Sequence, residues 1–409
     1  MSAFLRRDNM SVVSAILPPW TATRVIDDLF ELGEHNALLL NARGTLVRDR
    51  WYQNFLPVIS PELDYLDFLV PDTQVERIMD AIAVSGSLHR PGSGAVFTVP
   101  CDQVEYGPKF DMWTDVESGL SGYDASDFLK ENLTAIFCIA QPEHVPAISR
   151  AAMQAGAHGP VVFYCEGRGL RDRLGWLRIT KKTTKEVIVV VVDNVDKIAV
   201  TEAMVEAGRL DLPGRGFLFR MPVRQGLINL PKTVGNRGHA ANMQQIIAAI
   251  DSLKGSTDWR AQSVVELGAA GKSAGMAVFG RLKKREWLVD QACLGCIVAR
   301  KHAETVLDVI RAAGAPGANV SYAKFIEAEG RTTKSGTRLN RESGFIRSIL
   351  SKSMYDHVKA AVQAACLKEG IEDICIFALP VTRAITYMPS TEPNQEVTRT
   401  YRGVPVLSK

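Results

Sequence analysis

Long apolar runs are missing from this 409-residue chain. The most apolar stretch, VIVVVV at 187–192, is far too short to cross a bilayer. The opening MSAFLRRDNMSVVSAILPPW carries two arginines, but polar residues and Pro18-Pro19 interrupt it, so it makes a poor secretory signal. A soluble, cytoplasmic protein is expected. Charge of one sign is missing too, and a formal net charge of +3 is too small to imply nucleic acid as a partner. The basic clusters KKTTKEV and RLKKREW read as solvated surface that could dock an acidic partner or an anionic membrane face.

Recognisable catalytic and metal-binding spacings are also lacking. Seven cysteines offer one tempting pair, Cys293 and Cys296 in CLGC, with no second ligand pair at similar spacing. That pair runs straight into strand-like CIVAR rather than into a helix, and buried structural thiols are expected. The histidines (His35, His89, His144, His158, His239, His302 and His357) pair with neither Cys nor each other. No P-loop, no G-x-S-x-G and no paired-carboxylate constellation is present, so an enzyme is not expected.

What is present is internal repetition. GSLHRPGSGAVFTVPCDQ at 86–103 aligns without a gap on GRLDLPGRGFLFRMPVRQ at 208–225. Gly86, Leu88, Pro91, Gly92, Gly94, Phe97, Pro100 and Gln103 recur as Gly208, Leu210, Pro213, Gly214, Gly216, Phe219, Pro222 and Gln225. Upstream, LDFLVPDTQVERIMDAIAVSG and IVVVVDNVDKIAVTEAMVEAG each read as strand, cap residue (Asp72, Asn194) and amphipathic helix. AILPPWTATRVIDDLFELG and CIAQPEHVPAISRAAMQAG each read as strand, turn, helix and glycine cap, at Gly33 and Gly156. A weaker third copy runs through GCIVARKHAETVLDVIRAAGAPG and SGFIRSILSKSMYDHVKAAVQAACLKEG to ICIFALPVTR. It keeps Phe377 and Pro380 but has KEGIED in place of the Gly-x-Gly loop.

Each copy predicts β-α-β, a long loop, then β-α-β, an α+β ferredoxin-like plan. The copies span 11–107, 132–230 and 293–389. Between them lie an acidic linker, 108–131, and a connector with a helix, 231–292; a tail, 390–409, follows. The long loops at 44–61, 167–185 and 327–343 are polar and basic, and loops of that length are usually functional or mobile.

The repeat resembles the PII signal-transduction family, the nitrogen regulatory protein P-II-like proteins. The family's G-D-G-K-I-F-V-x-P-V motif is similar to GSGAVFTVPC at 92–101 and GRGFLFRMPV at 214–223. The resemblance implies βαββαβ subunits that trimerise and bind adenine nucleotides in the clefts between subunits. Three copies in one chain then imply a monomer packed as a single-chain pseudo-trimer, because three uncovered sheet faces must bury one another.

By the resemblance, the Gly-x-Gly loops would wrap an anion with backbone N–H groups. Candidate ligand-binding residues are Gly214, Arg215 and Gly216, with Gly167, Arg168, Gly169 and Arg171 at the base of the second long loop, and Gly92 and Gly94 in the first copy. Arg220 and Arg224 add charge near the second loop. The family's lysine position holds Ala95 or Phe217, its acidic position Ser93 or Arg215, and Asp102 and Glu105 reverse the charge beyond the last strand of copy one. A structural turn kept by repeat ancestry therefore stands beside the anion cradle as a reading of both loops.

No cofactor is certain on this reading, an adenine nucleotide or bicarbonate-like anion is compatible, and no metal is expected. The expected function is a non-enzymatic regulator that contacts a membrane transporter or enzyme through its long loops, peripheral to the membrane by way of that partner. The alternative is an assembly scaffold that has lost ligand binding. Size measurement in solution should find a particle of one chain's mass, and a stable homotrimer of chains with separate, non-contacting repeats would contradict the expectation.

Overall fold

LTAIFCIA forms a strand, Leu133–Ala140, that is buried at every position. A strand can be apolar throughout only when both of its faces are covered. Phe137 and Ile139 enter one hydrophobic cluster, while Ile136, Cys138 and Ala140 enter another. This two-sided burial recurs across the molecule, which is seen in a computed structural model describing residues 4–33, 36–45, 61–110, 129–169, 184–230, 285–327 and 341–387. The expectations for the interiors of the three long loops, for most of both connectors and for the tail lie outside the described residues.

The architecture is α+β and dominated by antiparallel sheet. After a short β1 (Leu5–Arg7), the chain forms β2 (Met10–Leu17), α1 (Pro19–Glu31), β3 (Asn36–Gly44), β4 (Glu62–Pro71), α2 (Val75–Ser85), β5 (Gly94–Cys101) and β6 (Gln103–Tyr106). The same order follows in β7 (Leu133–Ala140), α3 (Val145–Gln154), β8 (Val161–Gly169), β9 (Thr184–Asp193), α4 (Lys197–Gly208), β10 (Gly216–Val223) and β11 (Gly226–Asn229). It recurs in β12 (Gln291–Ala299), α5 (Arg300–Ala312), β13 (Gly317–Glu327), β14 (Arg341–Ser351), α6 (Lys352–Glu369), β15 (Ile374–Val381) and β16 (Arg383–Thr386). Strand order is β5-β2-β4-β3 in the first unit, β10-β7-β9-β8 in the second and β15-β12-β14-β13 in the third.

Local chemistry explains the helices. In α1 the buried residues Ala22, Val25, Ile26 and Leu29 fall on one helical face, and Pro19 opens the helix where a missing N–H costs nothing. Gly33, Gly156 and Gly314 follow α1, α3 and α5 with φ of 92°, 107° and 99°, the left-handed turn that ends a helix most easily at glycine. The cap role expected of Asp72 and Asn194 is different in the structure. The residues preceding α2 and α4 are Gln74 and Asp196, two positions further on. Ser11 Oγ donates to Asp72 Oδ1 (2.6 Å) and Thr134 Oγ1 to Asn194 Oδ1 (2.5 Å), tying the residues after β4 and β9 to β2 and β7 in the first two units.

The units also complete one another's sheets. β11 of the second unit pairs with β5 of the first, β16 of the third with β10 of the second, and β6 of the first with β15 of the third. On the opposite edges, β3, β8 and β13 pair mutually. The faces away from the helices meet in one core containing Phe97, Phe137, Phe219, Phe345 and Phe377. Three separate clusters fill the spaces between each sheet and its own helices. The CLGC thiols lie inside β12 and are fully buried, and burial pushes Cys293 up to about 12.

The central core predicts a large single-site effect. Phe377 is 2% exposed, contacts the Phe345 ring at 5.9 Å between centroids, and leaves no room for a side chain at Gly295. Phe377→Ala should cost about 3–5 kcal/mol, read from the urea midpoint. Trp20→Ala, at a residue 78% exposed, should change stability by no more than about 0.5 kcal/mol.

Candidate functional site

The Gly-x-Gly loops stand where each unit's last long strand begins. Gly92 and Gly94 have φ of 81° and 142°, and Gly214 and Gly216 have 73° and 151°. A Cβ on Gly94 would sit 2.2 Å from the Ile16 carbonyl oxygen, and one on Gly216 would sit 2.4 Å from that of Ile139. Gly94 and Gly216 are therefore required by backbone packing, whether or not an anion binds.

Part of the N–H cradle is already engaged. Gly92 N–H donates to Asn229 O (2.7 Å), at the end of the strand supplied by the second unit, and Ser93 N–H to Arg90 O (3.3 Å). In the second loop, Arg215 N–H donates to Leu212 O (3.3 Å). Its guanidinium Nη1 donates to His144 Nε2 (2.6 Å), and Gln141 Nε2 donates to Gly214 O (3.2 Å). The second loop is thus docked on the turn between β7 and α3.

Gly167, Arg168 and Gly169 end β8, where they pair with Asn319, Ala318 and Gly317 of β13. In the second unit's sheet β8 and β10 are the two outer strands, with β7 and β9 between them, and the register puts Tyr164 level with Gly216, so these residues stand three strand spacings across, roughly 14 Å, and further along the strand as well. Arg171 lies outside the described residues.

Arg220 and Arg224, expected near the loop, sit elsewhere. Gly216 pairs with Ala140 at one end of β7, whereas Pro222 and Val223 pair with Thr134 and Leu133 at the other. At that second end is a cavity of about 650 Å³ whose lining includes Lys197, Arg220, Arg224, Trp287, Thr382 and Arg383. Arg220 is 6% exposed, and its Nε–H meets no acceptor among the described residues. The guanidinium lies 5.4 Å from the centre of the Trp287 ring, a cation–π arrangement. Burial, reinforced by the charge of Arg383, lowers its pKa from the ordinary arginine value.

No protein-family model matches the chain, and no curated protein matches it. Among solved structures, the crystal structure of Arabidopsis thaliana PII bound to citrate is 21% identical and matches over 23% of this chain and 79% of that one, with a TM-score of 0.19. The crystal structure of aspartate kinase from Synechocystis is 8% identical and matches over 92% of this chain and 44% of that one, with a TM-score of 0.18.

The close approach at Gly216 sets a test for the loop. Gly216→Ala should lose more than about 1 kcal/mol because both the backbone angle and the Ile139 carbonyl oppose a methyl group. Chemical denaturation measures it, and an unchanged midpoint would show that the glycine is not held by packing.

Proposed function

We propose that the chain is a non-enzymatic, PII-like regulatory protein in which three βαββαβ units in one polypeptide stand in for the three subunits of a trimer. It senses a small anionic ligand, an adenine nucleotide or a bicarbonate-like anion, in a cleft between units. Its long loops carry the ligand state to a partner, a membrane transporter or an enzyme. The observation that best supports this reading is the cyclic exchange of return strands, β6 onto β15, β11 onto β5 and β16 onto β10. Such an exchange puts chain from a second unit beside a glycine loop: Asn229 accepts from Gly92 N–H, and Thr386 Oγ1 donates to Gly216 O (3.0 Å). A ligand held there would touch two units at once, which is how binding could bias their arrangement.

A second reading, an assembly scaffold without ligand, is favoured by the engaged N–H groups and by Ala95 and Phe217 at the lysine position. Thermal-shift measurements with ATP, ADP, AMP, cyclic nucleotides and bicarbonate separate the two. The regulatory reading predicts a rise in Tm with at least one of them, of the size expected for a ligand that binds only the folded state. A flat response to all of them would leave the scaffold.

A further inference from the structure

Arg220 and Arg383 face each other directly across the β10–β16 pairing. Like charges at opposed positions of an antiparallel pair repel. Removing a guanidinium from water without an anionic partner adds a second penalty, and Arg220, with the Trp287 ring against it, bears it at 6% exposure. Among the described residues, neither arginine is paired with a carboxylate. Two other charged groups between units are matched: Arg43 makes a two-pronged pair with Glu186 (3.0 and 2.7 Å), and Glu105 accepts from Lys359 Nζ (2.7 Å).

The repeat sharpens the contrast. At the equivalent junction of the first unit with the third, Ala378 faces Gln103. At that of the second with the first, Thr98 N–H donates to the carbonyl of Gln225 (3.0 Å). At these two opposed positions, one junction of three thus carries two cations and the other two carry none. The lining adds Lys197, whose Nζ is 3.5 Å from Asn194 Oδ1, and Arg224, whose guanidinium is 3.5 Å from Asp72 in an exposed pair. Of the cavity's acids, Glu202 is already paired with Arg285, which leaves Glu131 at the rim.

The geometry points to a phosphate-binding site in this cavity, formed by Arg220 of the second unit and Arg383 of the third with Lys197 beside them. A phosphate dianion, free or as the monoester of a small metabolite, supplies three terminal oxygens and two charges. It can accept from both guanidinium groups and from the ammonium together. A single carboxylate offers two oxygens and one charge, and a dicarboxylate such as succinate splits its two charges between separate groups, so neither brings three oxygens and two charges to one centre. The cavity is larger than inorganic phosphate, so a small ester fits. The site lies at the opposite end of β7 and β10 from the glycine loop and does not depend on ligand binding there.

Titration calorimetry and thermal shift in phosphate-free buffer test the site with inorganic phosphate, ribose 5-phosphate and succinate. The wild-type protein should bind and be stabilised by phosphate or its ester in preference to succinate. Arg383→Gln, at an exposed residue, should weaken that binding at least tenfold. Arg220→Met should abolish it, with a ligand-free Tm no lower than wild type because an unmatched buried charge has been removed. Tighter binding of ribose 5-phosphate than of phosphate identifies the ester as the ligand, and equal binding identifies the free ion. Absence of a wild-type response, equal binding of succinate, or an undiminished response in Arg383→Gln would overturn the proposal. A response to phosphate that Arg383→Gln removes, alongside a flat response to nucleotides and bicarbonate, separates a failure of sensing at the loops from a failure here.

Discussion

A four-stranded sheet with both helices on one side has a bare apolar face and an open edge, and neither is tolerable in water. The packing of the described residues follows from how those two liabilities are met. The bare faces close on each other around Phe97, Phe137, Phe219, Phe345 and Phe377. The edges at β5, β10 and β15 each receive a four-residue strand from a different unit. No unit described here is complete alone, so the core and the junctions must form together.

Carrying three units in one polypeptide frees the junctions to differ. A trimer of identical chains must repeat one junction three times. Here Ala378 faces Gln103, Thr98 meets Gln225, and Arg220 faces Arg383. The backbone arrangement is kept while the chemistry changes, and the charged junction is the one beside the large cavity.

Much of the βαββαβ pattern was legible because period and punctuation agree within each copy. Apolar runs mark the strands, 3.6-residue spacing marks α1, α3 and α5, and Gly33, Gly156 and Gly314 end them. The return strands were not legible: QVEY, GLIN and RAIT are four residues long and find their partners in other units, which no local pattern encodes. Asp72 and Asn194 were misread as caps because Asp and Asn are good N-caps in general. Here a strand hydroxyl, Ser11 or Thr134, competes for the same side chain. Arg220 was visible as a charge in an apolar strand, but its opposition to Arg383, 163 residues later, needed the register. One signal was available: Arg383 stands where Gln103 and Gln225 stand in the other copies.

The central claim is that three sheets share one core and lend each other strands. Differential scanning calorimetry of the intact chain tests it most directly. The account predicts one cooperative transition whose calorimetric and van't Hoff enthalpies agree. Three resolved transitions, each with the enthalpy of a unit of about 100 residues, roughly 60–80 kcal/mol, would contradict it.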